Sequence, residues 1–84
     1  MPELELYKDA ILTVDMPNEG LRAGDLGTVV ERHQVPGVKD VGYSVEFFDM
    51  TGRTVAVVTI PASSVRAPTC TDLPSVRALA KSSD

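Results

Sequence analysis

Apolar residues of this 84-residue chain occur in short runs separated by Gly, Pro, Asn and Asp, a pattern typical of strands joined by tight turns. Val and Thr, which favour strands, are concentrated in these runs. The pattern predicts five strands, over residues 10–14, 26–32, 43–48, 53–60 and 65–66. The third and fourth runs flank a turn that ends in Gly52, which predicts a β-hairpin. The predicted fold class is therefore mostly β.

The end of the chain has a different pattern. Residues 61–64 have the composition of a single 3₁₀ turn, and Pro68 prevents strand pairing beyond the fifth run. We therefore divide the chain into a β domain over residues 1–67 and a linker and tail over residues 68–84. Apolar positions on one helical face predict a short helix over residues 73–81, or a flexible tail if that helix does not dock.

Three sequence segments carry a family resemblance. The segments are AGDLGTVVE over residues 23–31, VEFFD over residues 45–49 and VVTIPA over residues 57–62. With the residues between them, they resemble a family of short bacterial proteins of unknown function, over roughly residues 6–67. The order of the elements is similar to that of SH3-like small β-barrels, which implies a five-stranded barrel with a 3₁₀ turn before the last strand. The resemblance implies no activity, so no functional residue is carried over from it.

Charge and composition disfavour several classes of function. Eight Lys and Arg against twelve Asp and Glu give a net charge of −4, and no two basic residues are adjacent. Nucleic-acid binding needs clustered basic residues, so it is disfavoured, although the Gly-x-x-Gly-x-Val pattern is similar to one in small barrels that bind ribosomal RNA. No apolar run approaches the roughly 20 residues of a membrane helix. A single cysteine and an acidic beginning of the chain favour the cytoplasm.

The residues that could carry chemistry are few. One histidine and one cysteine cannot supply the four ligands of a structural zinc site, and no run has the spacing of a calcium loop. His33 and Cys70 could be imagined as a base and a nucleophile, but nothing in the sequence orients them. Ser63 and Ser64 are expected to bond local backbone groups. We therefore predict a protein that is not an enzyme, with no metal, no cofactor and no small-molecule substrate.

The hairpin carries more apolar side chains than one buried face requires. Strand side chains alternate between two faces, so a strand that is wet on one side should alternate apolar and polar residues. In the fourth run Val55 and Val57 point one way and Ala56 and Val58 the other, so both faces are apolar. The second apolar face could be buried in three ways: by the chain's own tail or a bend of the strands, by a second copy of the chain, or by a different and more basic protein.

These observations predict a non-enzymatic, small acidic protein-interaction module of the antitoxin or immunity-protein kind, which binds a protein partner or itself. The predicted interaction surface is the outer face of the hairpin and its acidic rim, formed by Glu46, Phe48, Asp49, Ala56, Val58 and Ile60. One alternative is a structural homodimeric subunit with no separate ligand. A second alternative, a small barrel associated with nucleic acid, is disfavoured by charge.

Overall fold

The fold is one antiparallel sheet, as seen in a computed structural model that describes residues 3–37 and 39–79. Its five strands are β1 (Asp9–Leu12), β2 (Leu26–His33), β3 (Gly42–Phe48), β4 (Thr54–Pro61) and β5 (Val65–Arg66). Their order across the sheet is β4-β3-β2-β1-β5, so neighbours in sequence pair, except that β5 returns to β1. The mostly β fold and the five predicted strands are confirmed.

The two outer strands of the sheet are β4 and β5. Within residues 3–37 and 39–79 no pairing joins them, so the sheet is open and its closure into a barrel is not confirmed. A 3₁₀ turn over Ala62–Ser64 precedes β5 as predicted, and a second such turn over Pro17–Glu19 lies between β1 and β2. Nowhere in the described parts of the chain is there a helix long and apolar enough to cross a membrane.

The core lies on one face of the sheet. Alternation along the strands brings together one cluster of buried apolar side chains, listed here in chain order: Ala10, Leu12, Leu21, Val29, Tyr43, Val45, Phe47, Val58, Ile60 and Val65. Gly27 lies on the same face, where β2 and β3 are so close that an added Cβ would lie 2.6 Å from Val45 Cγ1 and 2.9 Å from the Glu46 carbonyl oxygen. β2 and β3 therefore approach each other closely at Gly27, where a side chain would force its neighbours to shift.

The C-terminal segment differs from its prediction. Residues 73–79 form no helix, and residues 80 and 81 of the predicted helix lie outside the described residues. Asp72, which directly precedes the predicted helix, accepts hydrogen bonds from the Thr69 amide and from the Arg66 guanidinium. Pro74 and the short length leave little to stabilise a helix whose apolar side chains remain in water. The helix prediction is therefore wrong for residues 73–79.

Candidate functional site

The predicted interaction surface is divided between the two faces of the sheet. Ile60 is completely buried, Val58 is only 9% exposed, and both pack in the core, while half-buried Ala56 packs against it. Placing these three residues on the outer face was therefore wrong. Ala56, Val58 and Ile60 do share one face, as alternation predicts, but Val58 pairs with Val45 and Ile60 with Tyr43, and those side chains point inwards.

The outer face of the sheet nevertheless carries exposed apolar side chains. Gly27 and Phe47 pair on the core side, so their neighbours Leu26 and Phe48 lie on the outer side, where they are 47% and 44% exposed. Ile11 pairs with Leu26 and extends the same stripe onto β1. Met50, in the hairpin turn, is almost fully exposed beside it. The sheet therefore presents a continuous apolar stripe to its surroundings.

The C-terminal segment over residues 68–79, which we term the strap, is held against the domain by two arginine–aspartate pairs. Arg66 Nη1 and Nη2 donate to the Asp72 carboxylate at 2.8 and 2.7 Å. Arg77 donates to the Asp25 carboxylate from Nε at 3.1 Å and from Nη2 at 2.6 Å, and Nη2 also donates to the Gly20 carbonyl oxygen at 3.0 Å. Bidentate pairs of this kind fix orientation as well as distance.

A groove of about 1140 Å³, which we term the outer groove, lies between the apolar stripe and the strap. The strap contributes Leu73 and Val76 to its lining, and Leu73 is 90% exposed. The strap is therefore held by ion pairs, while the side chains of Leu73 and Val76 remain exposed to water. From the sheet side the lining includes Ile11, Leu26, Phe48 and Met50.

The outer groove is acidic as well as apolar. Its lining contains four aspartates and one arginine, namely Asp9, Asp25, Asp49, Asp72 and Arg77. Burial raises the pKa of Asp25, but hydrogen bonds from Arg77 and from the Arg22 amide outweigh it and hold that pKa below the ordinary 3.8. The hydrogen bonds from Arg66 and then from Thr69 also lower the pKa of Asp72. Asp25 and Asp72 are therefore ionised at neutral pH.

The anchoring of the strap by Asp25 can be tested by proteolysis. Trypsin must take the Arg77 side chain into its own binding pocket, so a guanidinium held by Asp25 is protected. We expect Asp25→Asn to raise the rate of cleavage between Arg77 and Ala78 several-fold at neutral pH, measured by mass spectrometry. The asparagine keeps an oxygen for the Arg22 amide, so the local turn is preserved.

The matched control is Asp9→Asn, which removes a carboxylate of the same groove that takes part in no ion pair within the described chain. Equal cleavage rates in the wild type and Asp25→Asn would contradict the anchoring role.

Because the folded-state pKa of Asp25 is lowered, the stability that the pair of Asp25 with Arg77 contributes is present at neutral pH. It is lost as the pH falls through that lowered pKa.

The two predicted acidic site residues lie at the hairpin and serve it structurally. Asp49 Oδ1 accepts hydrogen bonds from the Thr51 amide at 2.8 Å, the Thr51 hydroxyl at 2.7 Å and the Arg53 amide at 3.0 Å. The Thr51 hydroxyl bond, followed by the bond from the Arg53 amide, lowers the pKa of Asp49. Glu46 accepts a hydrogen bond from the Thr54 hydroxyl on the outer face. Asp49 also lines the outer groove, whereas Glu46 does not.

A polar cluster that the sequence did not predict lies on the outer face of β2, β3 and β4. His33 Nε2 is 2.7 Å from Ser44 Oγ, which is 3.2 Å from Thr59 Oγ1. Glu31 Oε1 lies 3.8 Å from the same Nε2 atom. In a serine–histidine–acid triad the carboxylate orients the other ring nitrogen, Nδ1. The cluster therefore has the wrong arrangement for a triad and serves to satisfy the nearly buried Ser44 hydroxyl.

The other two residues considered for catalysis, His33 and Cys70, lie on different elements. His33 bonds Ser44 on the sheet, whereas Cys70 is an exposed free thiol in the strap, and no hydrogen bond joins the two. Among residues 3–37 and 39–79 no group of three His, Cys, Asp or Glu side chains is placed to hold a metal ion.

Sequence reasoning missed the outer groove. Strand alternation could have placed Leu26 on the outer face, because Gly27 has no side chain and lies on the crowded inner face. No local pattern indicates that Arg77 pairs with Asp25, which is 52 positions earlier in the chain.

Comparison with known proteins identifies one family. Residues 6–67 match the family described as "Domain of unknown function (DUF4926)". No curated protein and no solved structure matches the chain. The matched residues contain the five strands and Asp25, whereas the strap and Arg77 lie beyond them.

Proposed function

The chain belongs to the DUF4926 family, whose function is unknown, and we propose that it is a non-enzymatic protein-interaction module whose outer groove binds a basic segment of a partner protein. The observation that carries this proposal is the juxtaposition of exposed Leu26, Phe48 and Met50 with an acidic lining, in which Asp9 and Asp49 take part in no ion pair of the described chain. A soluble domain rarely keeps a contiguous apolar patch without a use for it.

The chemistry of the groove selects the kind of partner. Apolar side chains of the partner would cover Leu26 and Phe48, and burying a side chain of this size contributes about 1.5–3 kcal/mol. Lysine or arginine residues flanking those apolar side chains would face the groove's aspartates, which steer a basic partner to the site. An acidic protein or a nucleic acid would be repelled by the same carboxylates and by the net charge of −4.

Size and charge also support a specific biological role for such a module. A 9.0 kDa acidic protein that binds a larger basic one fits an antitoxin or immunity protein. We infer a cytoplasmic protein of bacterial origin, supported by the exposed free Cys70, which suits a reducing compartment. The interaction class is preferred over an enzyme because, among the described residues, no carboxylate bonds the second ring nitrogen of His33.

The architecture that we infer is an SH3-like small barrel. The support for it is the order β4-β3-β2-β1-β5 together with the 3₁₀ turn that leads into the short β5. In such a barrel a bent β2 would contribute to both halves of the sheet. The register shift between Val29 and Glu31 provides a bulge at which β2 can bend.

An NMR titration tests the proposed function. The probe is a short synthetic peptide of alternating lysine and leucine, added to the ¹⁵N-labelled protein. We expect shift changes confined to the outer groove, at Leu26, Phe48, Met50 and Leu73, with binding that weakens as salt is added. Leu26→Ser should weaken binding by about tenfold or more, because about 1.4 kcal/mol corresponds to tenfold in affinity.

Two controls make the titration specific. A peptide of alternating glutamate and leucine has the same apolar content and the opposite charge, and we expect it to leave the spectrum unchanged. Val35→Ser truncates an exposed valine that does not line the groove, and its affinity should equal that of the wild type. Equal responses to both peptides, or shifts scattered over the whole surface, would count against the proposed function.

A further inference from the structure

The strand β4 forms an edge of the sheet that is open along its length. It pairs with β3 on one side, and in the described residues no strand pairs with its other side. An open edge is a row of backbone donors and acceptors ready to pair with another strand. Natural proteins usually protect such an edge with charged residues, proline, bulges or a very short strand.

The hydrogen-bond pattern identifies the backbone groups that face the open side. The Ala62 amide donates to the Val41 carbonyl oxygen at 2.8 Å. The facing residues Pro61 and Gly42 are therefore a non-hydrogen-bonded pair of the antiparallel ladder. Because hydrogen-bonded and non-hydrogen-bonded pairs alternate along the ladder, the amide and carbonyl groups of Ala56, Val58 and Ile60 point towards β3. The amide and carbonyl groups of Val57 and Thr59 point to the open edge.

This edge lacks most of the usual protection. Residues 54–60 contain no charged residue, no proline and no glycine, and they are rich in β-branched side chains. The only proline of β4 is Pro61, at the end of the strand. Val57, in the middle, is 56% exposed on the outer face. The strand is therefore well suited to pair along its central residues.

We propose that β4 pairs antiparallel with β4 of a second copy of this chain, about a two-fold axis at Val58. In this register Val57 of each copy lies opposite Thr59 of the other, and their free amides and carbonyls form four hydrogen bonds. Pro61, which has no amide hydrogen, ends the ladder. The pairing joins two five-stranded sheets into one of ten strands.

Charge favours a second copy as the occupant of this edge. Each chain has a net charge of −4, so two copies repel each other wherever carboxylates meet. Residues 54–61 carry no charge, and this register places no carboxylate opposite another. The same strand offers no charge to attract a different partner, whereas its donor and acceptor pattern is complementary to itself. Of β4 only Val55 lines the outer groove, so the proposed pairing residues Val57 and Thr59 lie outside the proposed peptide site.

Mass and hydrogen exchange test the pairing. We expect light scattering after size exclusion to give about twice 9.0 kDa for the wild type at high concentration. Val57→Pro removes an amide hydrogen that β3 does not use, and Val57→Lys places a charge on the edge; both should give about 9.0 kDa. In the wild type the amides of Val57 and Thr59 should exchange slowly, like those of Val58 and Ile60.

The control Val35→Lys introduces the same charge at an exposed valine in the loop between β2 and β3, and it should leave the dimer intact. A wild type that is monomeric at high concentration would overturn the proposal. So would fast exchange of the Val57 and Thr59 amides in a dimer, because the two copies would then meet through another surface. Neither result would bear on peptide binding in the outer groove, so the two proposals can fail separately.

Discussion

Replacing Gly27 by alanine is expected to lower the free energy of unfolding by about 2–3 kcal/mol, because the new methyl group would overpack the core. Its Cβ would lie 2.6 Å from Val45 Cγ1 and 2.9 Å from the Glu46 carbonyl oxygen. The carbonyl belongs to the paired strand β3 and cannot move without breaking the ladder. A domain of this size loses roughly 4–8 °C of melting temperature per kcal/mol, so thermal and urea unfolding should both report the change.

The matched control is Gly42→Ala, the same substitution at the other strand glycine. A Cβ there would lie 3.6 Å from Thr59 Cγ2 and 3.7 Å from the Ile60 carbonyl oxygen, which is ordinary van der Waals contact. Gly42 does not have a left-handed φ, so alanine fits its backbone. We expect unchanged stability or a small gain from the reduced freedom of the unfolded chain. Equal losses in both variants would rule out close strand packing as the special role of Gly27.

The strands could be predicted from sequence because their signals are local. Short β-branched runs and the Gly and Pro between them locate each strand, and the turn before Gly52 locates the hairpin. Local signals do not fix the register. Within the hairpin, Phe47 pairs with Ala56 but Phe48 pairs with Thr54, so Val55 is an extra residue and simple alternation fails there.

The candidate site could be predicted only in part, for a related reason. Phe48 and Asp49 are exposed as expected and line the outer groove. The other wall of that groove is the strap, and its position depends on the pairing of Arg77 with Asp25. That contact joins distant parts of the chain and follows from no periodicity. The apolar pattern at Leu73 and Val76 predicted a short helix or a flexible tail, whereas ion pairs hold the strap and leave these side chains exposed.

Truncating Ile60 to alanine tests which face of the hairpin is the core. The side chain is completely buried and ranks among the largest of the fully buried ones, with Leu12, Val29 and Val45. Truncating it removes buried apolar surface and also leaves a cavity. Isoleucine-to-alanine changes in protein cores therefore lower the free energy of unfolding by about 2–5 kcal/mol. A small domain has only about 5–15 kcal/mol of stability, so Ile60→Ala should unfold at far lower urea concentration.

The comparison that makes this test decisive is Val57→Ala on the same strand. Val57 lies on the outer face and is 56% exposed, so we expect a loss below about 0.5 kcal/mol, as for ordinary surface substitutions. The alanine keeps the backbone amide and carbonyl of residue 57, so pairing at the edge of β4 is preserved. If Val57→Ala were the more damaging of the two, the hairpin would have its opposite face in the core. The apolar stripe of Leu26 and Phe48 would then be buried, and no groove would remain to bind a partner.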